Sequence, residues 1–288
     1  MKKIKYFIEA IIIYFFFFLI LVLGITLSRH FFSKIFIILG PLFRSKEIIK
    51  KNLNKINPNL EAREIDNLMN KMWSNYGKVF IEYIFLKKFK KDKNHIKIIN
   101  EKILDEISNS KRPVIFVSGH FANFELMSME LTKKNIKLAT IYRPLNNFFL
   151  NPFMEFLRKK YICQNQIKKG KEGLKSLIKF VEEKHSVALM IDQRLGEGEK
   201  LDFFGSPALT TTLPAQIALK FNYEIVPIYI SRKEDNKFQI EVYKPLSIKS
   251  YKKNDESKIV ITKKLNEIIE SMIKKDPSQW ILSHNRWK

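Results

Sequence analysis

Residues 10–27 run for 18 positions without a charge, and this run limits what the rest of the chain can be. Five successive aromatics at 14–18 leave no polar face to turn toward water. Adding Phe7 and Ile8, and tolerating Glu9, brings the stretch to the ~20 residues that a membrane-crossing helix needs. Lys2, Lys3 and Lys5 precede it while Arg29 and Lys34 follow, so flanking charge does not orient it. A cleaved leader is one rival; its basic start fits, but the apolar run is long and Thr26-Leu27-Ser28 is a poor cleavage site. A buried core helix is the other rival, and the aromatic run speaks against it. Residues 1–30 are therefore expected to be an N-terminal transmembrane helix serving as a membrane anchor.

A second apolar piece at 31–43 (FFSKIFIILGPLF) is too short to span and is interrupted by Gly40-Pro41. It suits the interface plane or the surface of a domain. From 45 to about 108 the pattern is helical: Leu68, Met72, Trp73, Tyr76 and Phe80 recur at threes and fours, as a core-facing stripe does. Residues 31–110 form an interfacial, helical segment in this reading. Its basic run at 87–93 (KKFKKDK) is either a solvated face or one touching lipid headgroups.

Beyond 110 the periodicity alternates. Apolar runs at 114–117, 137–142, 186–191, 225–230 and 238–243 read as strands. Helical patterns fill 148–160, 170–184, the stretch to Phe221 and 256–275. Alternation of this kind predicts an α/β fold over 111–288, a mixed, largely parallel sheet flanked by helices.

The candidate chemistry sits at strand ends. In PVIFVSGHFANFELM (113–127) a buried strand stops at Ser118-Gly119 and delivers His120, with Glu125 five positions on. Residues five apart are about 140° apart on a helix, so the two meet only if His120 lies in the turn and Glu125 in the first helical turn. In that arrangement Glu125 would orient His120 as a base. A histidine with an acid five positions later also arises by chance, and as a pair they are weak. Arg143 and Asp192 also follow predicted strands, which would gather all three at the edge where parallel sheets bind ligands. Separately, Asp192 reads as a turn or cap and Arg143 as a surface charge.

Lys and Arg number 52 against 29 Asp and Glu, a formal net charge of +23. That excess fits an anionic partner: nucleic acid, an anionic membrane surface, or an acidic protein or lipid. The abundance of Ile, Asn and Phe beside Lys weakens any single choice. No zinc, helix-turn-helix or RNA-binding pattern is present, so no metal, cofactor or nucleic acid is expected. The single cysteine, Cys163, rules out an internal disulfide and has no neighbouring base to make it a nucleophile.

The blocks SGHFANFEL, IYRPLNN, MIDQ, FFGSPALTTT and HNRWK together resemble the bacterial lipid A biosynthesis acyltransferase family over essentially the whole chain. The His-x-x-x-x-acid box alone is shared with glycerolipid acyltransferases; the ordered set is far more specific. The resemblance implies transfer of a fatty acyl group from an acyl carrier protein thioester to a hydroxyl of a phosphorylated glycolipid acceptor. It implies a single-pass protein of the bacterial inner membrane with its catalytic domain on the cytoplasmic face. It carries His120 and Glu125 across as the catalytic pair, Arg158 and Asp192 as essential supports, and Arg143, Asn146 and Asn147 as the YRP-x-N-N block. This chain has Asp192-Gln193-Arg194 where many relatives have a second acid, which leaves acyl length and acceptor open. A same-fold enzyme acting on a mannosylated phosphoinositide or an aminolipid is one alternative. A nucleic-acid-binding protein or an inactive membrane scaffold is another.

Overall fold

The computed structural model describes residues 2–288. In chain order the elements begin with α1 (Lys2–Phe43), α2 (Lys46–Ile56), α3 (Ala62–Glu82), α4 (Leu86–Lys91), β1 (Ile96–Ile99), α5 (Glu101–Ser110), β2 (Val114–Ser118), α6 (Glu125–Lys133) and β3 (Leu138–Tyr142). They continue with α7 (Asn151–Leu157), β4 (Asn165–Lys168), α8 (Lys171–Glu182), β5 (Ser186–Met190), β6 (Glu199–Phe203), β7 (Ser206–Thr210), α9 (Leu213–Phe221), β8 (Glu224–Arg232), β9 (Phe238–Val242) and α10 (Asp255–Lys275).

Seven strands form one sheet in the order β1-β9-β8-β2-β5-β3-β4, and every pairing is parallel except β8 with β9. The mixed, largely parallel α/β sheet expected from the alternation is therefore present. Strand β2 lies at its centre, and all five of its residues, VIFVS, are buried. Covering both faces of a strand removes the polar alternation that a half-exposed strand shows. Its carboxyl end lies beside that of β5, with Ser118 in register with Met190. The turns after β2 and β5 thus open at one edge.

Four strands escape the sequence pattern. β1 and β4 are four-residue strands at the two sheet edges. β6 and β7 form a separate hairpin whose two-residue turn is Phe204-Gly205, both at positive φ (53° and 67°). That backbone suits a primed turn, but phenylalanine is not its usual first residue, so FFG reads as an apolar run.

The N-terminal helix is not straight. Gly24 adopts φ 72°, ψ 171°, a conformation open to glycine, and breaks α1 into two arms. Phe16 and Phe32 would stand about 24 Å apart on a continuous helix; their rings lie 5.6 Å apart. The second arm continues helical through Gly40-Pro41 and packs on α3 at very short range. A Cβ on Gly77 would lie 2.3 Å from the Phe32 carbonyl oxygen, and one on Gly40 would lie 2.4 Å from the Trp73 ring. The first arm lies along α7 and the loop before it: Tyr6 meets Phe148, Phe7 meets Phe149, and Tyr14 meets Phe153. Its other side, including Ile8, Ile11, Phe15, Phe18 and Val22, is exposed, together with Phe148, Phe149 and Phe156.

A buried charge cluster fastens the arms to the sheet. Glu82, fully buried at the end of α3, accepts from Arg29 Nε (2.8 Å), Arg232 Nη2 (3.0 Å) and Asn123 Nδ2 (2.9 Å). Burial works against the Glu82 charge, but Arg232, Arg29 and Asn123 outweigh it and hold its carboxyl below the ordinary range. One carboxylate thereby ties α1, α3, the turn after β2 and β8 together.

Candidate active site

His120 sits in the turn after β2, and its imidazole remains partly open to solvent. The chain reverses at Ala122, whose φ of 43° is unusual for a residue with a side chain, and the Ala122 N–H donates to the Gln279 carbonyl at 2.8 Å. α6 then starts at Glu125.

The carboxylate at the imidazole belongs to Asp192. His120 Nδ1 lies 2.8 Å from Asp192 Oδ1, and the His120 backbone N–H donates to Oδ2 at 3.0 Å. Trp280 Nε1–H donates to the same Oδ2 at 2.8 Å. With three N–H donors around it, Asp192 stays ionised even at zero exposure. Burial pushes its pKa up, the His120 charge and these donors pull harder, and the net direction is down. For His120 the balance is the mirror image: burial lowers its pKa, Asp192 more than compensates, and the imidazole is more basic than usual. Because a carboxylate only accepts, Nδ1 carries the proton and Nε2 is left as the basic nitrogen.

Glu125, expected to orient the ring, has other partners. Its Oε1 accepts from Arg158 Nε at 2.8 Å and Nη2 at 2.6 Å, and from the Tyr83 hydroxyl. Arg158 Nη2 also donates to Tyr83 at 3.0 Å. Burial disfavours the Arg158 charge, but Glu125 and Tyr83 reverse this and its pKa is raised. Burial, then the Glu125 charge, push the Tyr83 hydroxyl upward. The pairing of Glu125 with His120 is thus corrected: the turn at Ala122 sends Glu125 to Arg158, and residue 192 fills the place beside the ring.

The remaining candidates separate. Arg143 and Asn146 are exposed. Asn147 is buried and donates to the Tyr6 carbonyl at 2.8 Å while its Oδ1 accepts from Phe149 N–H, so it latches the loop onto α1. Cys163 donates to the Leu138 carbonyl, and burial pushes its thiol up to about 11, which leaves it inert at neutral pH.

Two residues were missed. Tyr83 stands seven positions after Tyr76, two helical turns on, so the aromatic stripe on α3 carried a signal that core packing absorbed. Trp280 had no signal, because a partnership across 88 residues leaves no local spacing. The rest of the closing segment packs around it. The Arg194 N–H donates to His284 Nε2, and the buried Arg286 donates to Leu209 O and Thr210 Oγ1.

An apolar groove of about 280 Å³ opens beside His120. Phe36, Tyr76, Val79, Phe80, Phe124 and Ile281 supply most of its walls. A histidine–carboxylate pair at the carboxyl edge of an α/β sheet, beside a hydrocarbon-lined groove, is an arrangement able to take a proton from a hydroxyl next to an apolar chain. The chain belongs to the bacterial lipid A biosynthesis acyltransferase family, whose sequence model matches residues 1–288. It is similar to lipid A biosynthesis acyltransferase 2 of Shigella flexneri, 23% identical over 182 residues. That alignment covers 62% of this chain and 56% of the relative.

Proposed function

We propose that the protein transfers a fatty acyl group from an acyl carrier protein thioester to a hydroxyl of a phosphorylated lipid A precursor. Family membership supports acyl transfer in lipid A biosynthesis. The observation that carries the mechanism is His120, held by Asp192 at the mouth of an apolar groove. His120 Nε2 removes the proton from the acceptor hydroxyl as its oxygen attacks the thioester carbonyl. Asp192 stabilises the imidazolium that forms. The C–S bond then breaks, and the departing thiolate takes the proton back from Nε2. No residue is acylated, and no metal or cofactor enters the cycle.

Phe121 and Ala122 spend their N–H groups on the Gly119 and Gln279 carbonyls. Leu126 and Met127 likewise donate to the Asn123 and Phe124 carbonyls, so the oxyanion is assigned to the N–H groups of Asn123, Phe124 and Glu125 leading into α6, where the helix dipole also favours negative charge. Glu125 holds Arg158 in place, and Arg158, with the exposed Arg143 and Asn146, is available to the acceptor phosphates. Asn147 serves the loop that presents them. The basic surface favours an acidic carrier protein and an anionic membrane.

Attachment is to the bacterial inner membrane, with the catalytic body on the cytoplasmic face. The first arm of α1 packs on the domain from Tyr6 to Phe17 and exposes one apolar side. This supports a seat in one leaflet over the single crossing read from the sequence.

The test incubates the purified full chain in lipid nanodiscs with acyl carrier protein thioesters and a tetraacylated, phosphorylated glucosamine disaccharide. A mannosylated phosphoinositide and an aminolipid are run in parallel, and products are weighed by mass spectrometry. A mass gain of one acyl group on the disaccharide is expected, and His120→Ala should lose roughly 10²–10⁴-fold in rate. Acylation confined to another acceptor, or near-normal turnover by His120→Ala, would refute the reading.

A further inference from the structure

The turn between His120 and Glu125 is held from outside at two points, and both holds lead back to one arginine. Strand β8 pairs with β2 as far as Val117 opposite Pro227 and then runs on to Arg232. Arg232 therefore stands past the carboxyl end of β2, where the turn emerges. Its backbone grips the Gln279 side chain from both ends. The Arg232 N–H donates to Gln279 Oε1 at 2.6 Å, and Gln279 Nε2 donates to the Arg232 carbonyl at 3.0 Å. The Gln279 carbonyl in turn receives the Ala122 N–H at 2.8 Å. The Arg232 guanidinium grips Glu82 through Nη1 at 2.5 Å and Nη2 at 3.0 Å, and Glu82 Oε2 receives Asn123 Nδ2 at 2.9 Å. Two successive residues of the turn are thus anchored, one by its backbone and one by its side chain.

Packing alone does not account for Asn123. It is 1% exposed, and its Oδ1 is buried with no partner among the described residues. An unpaired buried amide oxygen costs stability, and an apolar side chain of similar size would fill the space without that cost. What the asparagine supplies is the bond from Nδ2. Glu82 does not depend on that bond for its charge, because Arg29 and Arg232 already face it. The bond serves the turn. Ala122 sits at φ 43°, a backbone state that persists only where its surroundings impose it. Held there, Asn123, Phe124 and Glu125 keep N–H groups with no carbonyl partner among the described residues, whereas Phe121, Ala122, Leu126 and Met127 have spent theirs.

We propose that the Asn123 side chain is a positioning residue for the oxyanion, anchored through Glu82 to Arg232. The inference rests on the acyl-transfer reading of His120 and deepens it by naming what keeps the amide donors aimed. The thioester oxygen shifts and gains charge as its carbon becomes tetrahedral. Donors fixed in advance at its final place favour the transition state over the bound thioester. The bonds between His120 and Asp192 lie outside this network, so aim and basicity are controlled separately.

The experiment measures kcat, KM for donor and acceptor, and the pH profile of the full chain in nanodiscs, with urea unfolding to establish that each protein is folded. Wild type, Asn123→Ala and Asn123→Leu are compared. Asn123→Ala leaves Glu82 paired with both arginines and should lose about 10²-fold in kcat, the scale for misplacing reacting groups by 1 Å. Both KM values should stay within about threefold, the pattern of an interaction made only in the transition state. The acid limb of kcat/KM should not move. Asn123→Leu fills the space without the donor, so it should lose kcat as Asn123→Ala does, and it keeps the test valid where Asn123→Ala folds poorly. Wild-type kcat in folded Asn123→Leu makes the residue a filler and overturns the proposal while leaving acyl transfer intact. A loss carried by KM, or by a displaced acid limb, overturns it too. Absence of transfer by wild type from every donor would instead strike the underlying reading of the site.

Discussion

Asp192 and Glu125 are two buried carboxylates within electrostatic reach of the same imidazole, and the structure uses them in opposite ways. Asp192 lies 72 residues from His120 in the chain and holds it by side chain and backbone together. Glu125 is five residues away and turns to Arg158 and Tyr83. Nearness in sequence therefore says little about partnership here. The parallel sheet, by setting the ends of β2 and β5 side by side, decides which acid meets the imidazole. One carboxylate faces the imidazole, and the other holds a cation.

The largest expected effect tests the first half of that contrast. Asp192→Asn places an amide N–H against Nδ1 and favours the wrong tautomer, so kcat should fall by about 10³–10⁴, the scale for amidating the carboxylate of a catalytic triad. The pH profile carries the sign. In the wild type kcat/KM rises with pH as the imidazole deprotonates, and its acid limb should lie above the ordinary ~6.5 because Asp192 lifts the His120 pKa. Without the Asp192 charge, burial dominates and the residual activity should show that limb at lower pH. Activity within tenfold of wild type would end the assignment.

Glu125→Gln tests the second half and should appear mainly as lost stability. It strands the Arg158 charge, and breaking a buried pair costs about 3–5 kcal/mol. Both side chains keep about a tenth of their surface exposed (12% and 10%), so the lower end, ~3 kcal/mol, is expected in urea unfolding at neutral pH. The acid limb should move far less than in Asp192→Asn; an equal displacement would merge the two roles.

The smallest effect sharpens the contrast. Trp280→Phe keeps the aromatic volume and removes one donor from Asp192, a loss of ~1.5 kcal/mol or about tenfold in kcat/KM. With one donor fewer, Asp192 holds the His120 proton more tightly, and the limb should move to higher pH. A tenfold loss without that displacement would make Trp280 a packing residue only.

Much of this was legible in the sequence. β2, β3, β5, β8 and β9 are apolar runs with clear ends, so the α/β sheet and the placement of His120 and Asp192 at one edge could be read directly. Arg158 and Glu125 were visible as residues, but their bond was not, because it spans 33 positions and depends on the reversal at Ala122. The hairpin of β6 and β7 hid behind a phenylalanine in a turn position that favours glycine. The run at 10–27 was read for composition alone; hydropathy reports what a helix avoids, not what it lies against.

The bend at Gly24 makes the apolar leader part of the body it was expected only to tether. Trimming the chain ahead of residue 31, the usual route to a soluble catalytic fragment, would remove Phe17 from behind Phe80 and Arg29 from Glu82. It would also take away the Tyr6 carbonyl that receives Asn147. Such a fragment begins life with a hole in its core, and a poor activity measured on it would describe the damage and not the enzyme.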